Sequence, residues 1–442
     1  MGWLPDCVYT GDKFEWGLAF FADPLGRISR FSREPADLAM ARRLDGQAAL
    51  PGLVNGHSQA LHRLLRGRPA PRARAASVLD RLAEADVYDT ARMAFLEMLL
   101  TGITCVGEFH TLHHPPEGTP GPDPNVFSYS ILRAARDTGI RLALHKVACA
   151  RARPEEGLAR SLIPTPDQFI REMEALREHV ERNFPGDGVW LGVAAHSLCT
   201  VPPDYLKAVS EYAHAQRMRL QVPFGAQPAD NEACVAEHGR RPVALLAERG
   251  LLDKRFTAVH AQHLTDDEIR LLGTARATVC ACPTSERARG DGVAPVDRLL
   301  AAGVAVSLGT DCQVQIDLFE DARLLEYPLR VGRPQRQGLG SDPTVKLLQA
   351  ATSAGARSVG ASSGALEVGR PADFFTVNLY DPSIAGAEPD ALAGNIVFSL
   401  ERRAVRDVWI GGQPRVTGGR HPLHGPIVNR FVTLRQRLAA SV

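Results

Sequence analysis

An eight-stranded (β/α)8 barrel of the TIM-like kind, joined to a small β-domain, is the fold that the sequence predicts. Two observations predict it. Eight short apolar runs alternate with helix-like segments in the middle of the chain, and strand-like segments without intervening helices occur at both ends. Alternating strands and helices are typical of a parallel sheet wrapped by helices. The runs are almost continuously apolar, as expected of strands that are covered on both faces.

The predicted barrel strands follow one another at short intervals. They cover residues 50–57, 102–110, 141–148, 189–197, 219–226, 256–264, 277–284 and 304–311. Helical spacing of apolar residues predicts helices over 168–184 and 204–216, and Thr265 is placed to cap a helix over 266–272. The Pro- and Gly-rich segment 113–125 predicts a lid loop after the second strand.

The two chain ends predict the second unit. Residues 1–48 and 366–420 are expected to form one small β-domain, with the barrel over 49–365 and a C-terminal extension over 421–442. The stretch ERRAVRDVWIGGQPRV has two strand-like halves around Gly-Gly and predicts a hairpin.

Composition excludes several function classes. The chain has 442 residues and a formal net charge of +1, which gives no electrostatic reason to expect nucleic acid or an anionic membrane surface as partner. No apolar run is long enough to cross a bilayer, and the first residues do not resemble a signal peptide. The eight cysteines form no C-x-x-C pair, which indicates a reduced, cytoplasmic protein.

Polar residues at the strand ends are the candidate site, because barrel enzymes place their chemistry where strands end. The stretch VNGHSQALHR almost contains His-x-His, which would turn two imidazoles to one side of the strand to bind a metal, but Gln59 takes the second place. The candidates are His57, Gln59, His62, Glu108, His110, His196, Cys199, Gln227, His260, Asp311 and Cys312. His113 and His114 are predicted to lie on the loop surface.

The order of these motifs resembles the amidohydrolase superfamily, and within it the formimidoylglutamate deiminase branch. The resemblance is carried by LPGLVNGHSQALHR, VGEFHTLHHPPEGTP, AAHSLCTVPPDYL, GRRPVALLAERGLLDKRFTAVHAQHL, CPTSERARGDG and LGTDCQVQIDLFEDARLLEY, with GALEVGRPADFFTVNL in the closing β-domain. It covers nearly the whole chain. It implies the barrel fold, and it implies a homodimer that acts on a small molecule.

The resemblance also implies roles for individual residues. That family holds a divalent metal with His-x-His on strand one, a His on strand five and an Asp on strand eight, and a strand-six His polarises the substrate. His57, Asp311 and His260 match the first strand-one ligand, the strand-eight Asp and the strand-six His.

Other family positions hold different residues. Gln59 and Pro223 stand where two metal ligands are expected, and Ala226 stands where the proton-shuttling Glu is expected. Because two imidazole ligands are missing, no cofactor is predicted, or at most a weakly held zinc on His57, Gln59 and Asp311. Cys199 and Gly121 occupy the places of the Arg and Tyr that grip the glutamate part of the substrate, so formimidoylglutamate is not predicted as the substrate.

The function predicted from these residues is a metal-independent enzyme. Asp311, His260, His57 and His196 would act as acids and bases in proton transfer, elimination or ring closure on a small nitrogen-containing metabolite. Burial is expected to raise the pKa of Asp311 for this role. The other candidates, Gln59, His62, Glu108, His110, Cys199, Gln227 and Cys312, would contact the substrate, with Cys199 and Cys312 also open as thiolate nucleophiles.

Two alternatives stay open. One is a zinc-dependent hydrolase of C–N or C=N bonds, a deaminase or deiminase, with a rebuilt metal site. The other is a catalytically inactive binding protein, because a fold survives the loss of its chemistry.

Overall fold

A computed structural model describes residues 1–67, 78–114, 123–151, 161–332, 338–340 and 342–440. The strands are β1 Gly2–Tyr9, β2 Phe14–Trp16, β3 Ala19–Ala22, β4 Ile28–Ser32, β5 Arg42–Pro51, β6 Leu53–Ser58, β7 Ile103–His110, β8 Arg141–Ala148, β9 Val189–Ala195, β10 Leu220–Phe224, β11 Phe256–His260, β12 Thr278–Ala281, β13 Ala305–Leu308, β14 Phe374–Asn378, β15 Val405–Ile410 and β16 Gln413–Val416.

The helices lie between and after these strands. They are α1 Pro35–Met40, α2 Glu84–Leu99, α3 Val126–Thr138, α4 Pro166–Asn183, α5 Pro203–Ala215, α6 Pro228–His238, α7 Pro242–Glu248, α8 Asp266–Thr274, α9 Pro283–Arg289, α10 Val296–Ala301, α11 Leu318–Gly332, α12 Thr344–Ala351, α13 Ser353–Val359, α14 Leu392–Ser399 and α15 His424–Ala440, with short 3-10 helices at Ala60–Leu65 and Arg402–Ala404. None of these described helices is long and apolar enough to span a membrane.

The barrel consists of β6 to β13 in sequential order, with every pair parallel. A parallel bridge between Ser58 and Asp311 joins the first strand to the segment after the last one. At the same place the Asp311 amide donates to the His57 carbonyl over 3.0 Å, and the Gln59 amide donates to the Asp311 carbonyl over 3.1 Å. The predicted barrel is therefore confirmed, and its closure brings two candidate segments side by side.

The remaining strands form a second sheet from both chain ends, as predicted. Their order is β16-β15-β14-β5-β1-β3-β4, with β2 paired to β1. The inner face is aromatic: Trp3, Phe20, Phe374 and Trp409 are buried, and the ring pairs in contact have centroids 5.0–5.7 Å apart. The predicted hairpin is β15–β16, with Gly411 and Gly412 at positive φ in its turn.

Element boundaries differ from the prediction where the backbone turns. The run 50–57 contributes to two strands that belong to different sheets, β5 and β6, separated at Gly52. A Cβ at Gly52 would overlap the side chain of Thr104, so only glycine fits this crossing. The strand predicted over 256–264 ends at His260, where His260 and Ala261 take φ values of 70° and 57°.

The predicted helices are present, with small changes at their ends. Thr265 caps α8: its hydroxyl accepts from the Glu268 amide over 3.3 Å, and the Glu268 carboxylate accepts from the Thr265 amide over 3.0 Å. Most of the predicted lid, including Gly121, lies outside the described residues. The boundaries of the two predicted units stay a prediction.

Candidate active site

Asp311 is at the centre of the candidate site. It follows β13, is fully buried, and takes a φ of 39°. Its Oδ1 accepts from Gln59 Nε2 at 2.7 Å and lies 3.6 Å from His57 Nε2. Its Oδ2 accepts from Arg289 Nη1 at 2.6 Å and lies 3.7 Å from His260 Nε2. Two imidazoles, one amide and one guanidinium therefore surround a single carboxylate.

The tautomer of His57 is set by a neighbouring amide. Gln221 donates through Nε2 to the Gly56 carbonyl at 2.8 Å, so its Oε1, 3.1 Å from His57 Nδ1, accepts a proton from the ring. In the neutral ring, Nε2 then carries only its lone pair. This Nε2 is buried, makes no hydrogen bond and faces the Asp311 carboxylate.

His260 is oriented in the same way by a carboxylate. Glu286 Oε1 lies 3.1 Å from His260 Nδ1 and also accepts from the Cys282 amide at 2.7 Å. Because the Glu286 carboxylate accepts the proton of His260 Nδ1, the Nε2 of a neutral His260 ring carries a lone pair, which faces Asp311. An imidazole whose second nitrogen donates to a carbonyl or carboxylate is the usual arrangement of a metal-ligating histidine.

Arg289 is a functional residue that the sequence reasoning missed. It ends α9, and its guanidinium extends into the site. Nη1 donates to Asp311 Oδ2 and, at 3.0 Å, to Cys312 Sγ, while Nη2 donates to His260 Nε2 at 3.3 Å. Nε forms an ion pair of 2.6 Å with Asp291. The only signal in the sequence was its place in CPTSERARGDG, next to a motif already singled out.

The expected rise in the pKa of Asp311 is wrong. Burial does oppose its charge, but the adjacent charge of Arg289 acts against that effect, and the pKa lies well below its usual range. Asp311 is therefore ionised at neutral pH. The pKa of Cys312 is shifted upwards instead, because burial and the adjacent charge of Asp311 both disfavour the thiolate. It is a thiol that donates to Asp311 at 3.2 Å, not a thiolate nucleophile.

Gln227 and His62 also belong to the neighbourhood of Asp311. Gln227 Nε2 donates to Asp291, the carboxylate that pairs with Arg289 Nε. Burial lowers the pKa of His62, while the charge of Asp311 acts to raise it, which places this ring within electrostatic reach of the site. Gln227 is therefore linked to Asp311 through Asp291 and Arg289, and His62 through its electrostatic interaction with Asp311.

Glu108 contacts the residues on either side of Gln59. Its Oε2 accepts from Ser58 Oγ and its Oε1 from the Ala60 amide, both at 2.6 Å. Burial raises its pKa to about 8, against the lowering effect of these two hydrogen bonds. Because both oxygens hold the loop that carries Gln59, we assign Glu108 a positioning role.

The strand-two histidines form a buried group, and the expected surface position of His113 and His114 is wrong. His110, His113 and His114 are each at most 2% exposed. His113 Nε2 donates to the Val147 carbonyl at 2.8 Å. Burial and the charge of the buried Lys146 lower the pKa of His110 to about 3, so this ring is neutral. The spacing of residues in the sequence does not show that His113 and His114 become buried when the chain folds.

His196 and Cys199 follow β9. The His196 amide donates to the Ala148 carbonyl at 2.9 Å, and its Nδ1 lies 3.4 Å from Thr200 Oγ1. Cys199 is partly exposed. Their roles in catalysis and substrate binding stay predictions.

The residues that could hold a divalent metal are His57, His260 and Asp311, because the two imidazole Nε2 atoms lie 3.6 and 3.7 Å from the two oxygens of the Asp311 carboxylate. A catalytic zinc site has three protein ligands and an open position. The buried Nε2 of His57 fits such a cation, since it makes no hydrogen bond and lies 3.6 Å from a carboxylate oxygen of Asp311. Pro223 lies in β10 and offers no side-chain donor, and Gln59 is engaged with Asp311 through its amide.

A second group of donors lies behind His260. Ligand atoms of His260, Cys282 and Glu286 lie within 4.8 Å of one another, and all three residues are buried. Burial and the neighbouring Cys280 thiol raise the pKa of Cys282 well above its usual range. A thiol that stays protonated is a poor ligand, so we interpret this group as the support of His260.

Comparison with known proteins decides the family. The amidohydrolase family model matches residues 48–415. The chain belongs to the amidohydrolase family. It is similar to a formimidoylglutamate deiminase of Pseudomonas aeruginosa, with 32% identity over 88% of this chain and 89% of the relative. It is also similar to a 5-methylthioadenosine/S-adenosylhomocysteine deaminase of Moorella thermoacetica, with 30% identity over 83% and 81% of the two chains.

Solved structures agree with this assignment. An amidohydrolase from Brucella melitensis superposes with a TM-score of 0.89 at 27% identity, covering 98% of this chain and 99% of that one. An adenosine deaminase from Xanthomonas campestris with bound zinc shares the fold at a TM-score of 0.85 and 23% identity, covering 99% and 98%.

These findings overturn two predictions. The function predicted above, a metal-independent enzyme for proton transfer, elimination or ring closure, is wrong, because the named relatives of this amidohydrolase are deiminases and deaminases. The prediction of no cofactor is wrong for the same reason, since it depended on a metal-independent reaction that the family match and the relatives contradict. The zinc-dependent hydrolase, stated above as an alternative, is the better-supported one.

Proposed function

We propose that this chain hydrolyses a C–N bond at an amidine or amino-substituted carbon of a small molecule and releases ammonia. One observation carries the proposal: His57 Nε2 and His260 Nε2 both face the ionised carboxylate of Asp311 at the barrel mouth. The names of the relatives, a deiminase and deaminases, support this reaction class. In the overall reaction water adds to the carbon, a C–O bond replaces the C–N bond, and the nitrogen leaves as ammonia.

His57, His260 and Asp311 are the residues that would hold a divalent metal ion. Such an ion, when bound, supplies a water of lowered pKa and polarises the bond under attack. Gln221 and Glu286 keep both imidazoles in the tautomer that presents Nε2. This support comes from buried side chains, so the geometry is set before substrate arrives.

Asp311 is the proposed proton carrier. It is ionised, so it can accept the proton that the attacking water loses and return it to the leaving nitrogen. Gln59 Nε2 holds its Oδ1 in place during this exchange. Proton transfer by the Asp311 carboxylate would compensate for the absence of an acidic side chain at Ala226.

Ammonia release tests the proposal. The full-length protein, supplied with Zn²⁺, is assayed with formimidoylglutamate, 5-methylthioadenosine, S-adenosylhomocysteine and adenosine. Asp311→Asn keeps the shape of the side chain but cannot accept a proton, so we expect a loss of kcat of about a thousandfold or more. Asp204→Asn, at an exposed ion pair with Arg249, is the matched control and keeps full activity. Equal rates for Asp311→Asn and the unmodified protein would refute the proposal.

Homodimer formation and a cytoplasmic location remain predictions that accompany this proposal. Size-exclusion chromatography with light scattering measures the first.

A further inference from the structure

The cluster around Asp311 already contains a cation that belongs to the protein. The Arg289 guanidinium donates to Asp311 Oδ2 at 2.6 Å and to His260 Nε2 at 3.3 Å. A guanidinium has donors only and keeps its charge at any physiological pH. It therefore occupies the lone pairs of two of the three proposed metal ligands. The third proposed ligand, His57, makes no hydrogen bond through its Nε2.

Arg289 reaches these buried atoms from the rim of the barrel. Its side chain is 30% exposed, whereas that of Asp311 is 0% exposed and that of His260 is 8% exposed. Part of the Arg289 side chain is thus open to solvent, whereas the side chains of its two partners are almost completely buried. Leaving the site would cost the ion pair with Asp311, which a divalent ion would replace by a stronger interaction with the same carboxylate.

An anchor at the rim keeps the guanidinium close when its inner contacts break. Arg289 Nε pairs with Asp291 at 2.6 Å, and Gln227 Nε2 donates to the same carboxylate. Asp291 is 4% exposed, so this pair is itself shielded. If this pair is kept, Nη1 and Nη2 would leave Asp311 and His260 while Arg289 stays next to Asp291.

We propose that Arg289 is an internal competitor of the divalent metal ion: its guanidinium stabilises the metal-free site and must leave Asp311 and His260 before an ion can bind there. This inference rests on the proposed function for the identity of the metal ligands. It assigns to Arg289 a control of metal affinity that goes beyond the hydrolytic activity. The affinity for the ion would then include the free energy needed to move this guanidinium from Asp311 and His260.

Zinc affinity measured without any substrate tests the inference. The full-length protein is stripped with a chelator, dialysed, and titrated with Zn²⁺ in competition with a chromophoric chelator. Arg289→Met removes the guanidinium and keeps an unbranched side chain. The Arg289→Met variant loses the contacts with Asp311 and His260, which are present only in the metal-free state. The metal-free state is therefore destabilised relative to the zinc-bound state, and we expect the Kd for Zn²⁺ to fall about tenfold or more. Arg289→Lys keeps the charge without the fork and is expected to lie between the two.

Arg287→Met is the matched control. Arg287 lies on the same helix, α9, and its guanidinium pairs with Glu320 at 3.3 Å, away from Asp311. This variant removes the same charge and should leave the Kd unchanged. Thermal unfolding provides the second measurement: metal-free Arg289→Met should melt below the unmodified protein, and saturating Zn²⁺ should abolish the difference.

Each other outcome has a defined meaning. A Kd for Arg289→Met that equals or exceeds the unmodified value overturns the inference, and so does a failure of both proteins to bind Zn²⁺. If Arg289→Met does not fold, the Kd of Arg289→Lys decides in the same way. Failure of the proposed function is seen separately: tighter zinc binding by Arg289→Met, without ammonia release from any substrate, keeps the inference and removes the hydrolase.

Discussion

At the scale of single residues, the site depends on buried polar groups whose charge is set by their neighbours. Asp311 and Glu108 are both carboxylates at most 1% exposed, yet their pKa values move in opposite directions. Asp311 has the guanidinium of Arg289 beside it, whereas the donors to Glu108 within the described part of the chain are the neutral Ser58 hydroxyl and Ala60 amide. A nearby positive charge thus decides which acid is ionised at neutral pH.

Glu108 gives a prediction on the pH dependence of stability. Its pKa is raised to about 8 in the folded protein, against about 4.3 in the unfolded chain, so the folded state binds more protons between these values. Stability should therefore fall as pH rises through this window. Glu108→Gln mimics the protonated form and should gain roughly 2–4 kcal/mol relative to the unmodified protein between pH 4 and pH 8.

Denaturant unfolding at several pH values measures this effect. Glu97→Gln serves as a contrast, since contacts with Arg66 and Arg63 lower the pKa of that buried carboxylate in spite of its burial, and the variant should lose stability at neutral pH. A constant difference between Glu108→Gln and the unmodified protein across the whole pH range would show that folding does not raise the pKa of Glu108.

At the scale of elements, the site depends on the closure of the barrel between β6 and β13. Gly309 follows β13 at this seam. A Cβ there would lie 2.8 Å from the His57 carbonyl oxygen, 2.9 Å from His57 Cβ and 3.0 Å from Cys282 Sγ. A side chain at Gly309 must therefore displace His57 or separate the two strands.

Gly309→Ala should lower both stability and zinc affinity. We expect a loss of about 1–3 kcal/mol in the free energy of unfolding, as for other overpacked positions, together with weaker binding of Zn²⁺. Gly188→Ala is the matched control, because no atom lies within 4 Å of a Cβ built there. Unchanged zinc affinity in a folded Gly309→Ala protein would show that His57 is not a ligand.

Strand and helix order could be predicted from the sequence, because apolar periodicity depends on local residues alone. His57, His260 and Asp311 could also be found, since each stands at the end of an apolar run. Arg289 could not be found in this way, because its contact with Asp311 depends on the direction in which α9 ends and on the strands beside which α9 packs. The balance of charges that ionises Asp311 likewise exists only after folding.

At the scale of the whole molecule, a buried ion pair joins the barrel to the second sheet. Arg141 begins β8, and Asp373 directly precedes β14. Arg141 donates to Asp373 through Nε at 2.6 Å and Nη2 at 3.1 Å, a bidentate contact in which the Asp373 side chain is 0% exposed. The Asp373 carboxylate also accepts from the Gly411 amide of the β15–β16 turn at 2.7 Å. One carboxylate thus ties three segments together.

The same guanidinium has an exposed partner, which makes the energetic role of the buried one measurable. Arg141 Nη1 pairs with Asp187 at 2.7 Å, but the Asp187 side chain is 50% exposed. Asp373→Ala leaves a buried guanidinium and the Gly411 amide without their acceptor, and should cost about 3–5 kcal/mol of unfolding free energy. Asp187→Ala removes a solvated partner of the same Arg141 and should cost about 1 kcal/mol or less. Chemical denaturation of both variants provides the comparison. Equal losses would mean that the two sheets are held together by their apolar contacts and that this ion pair contributes little.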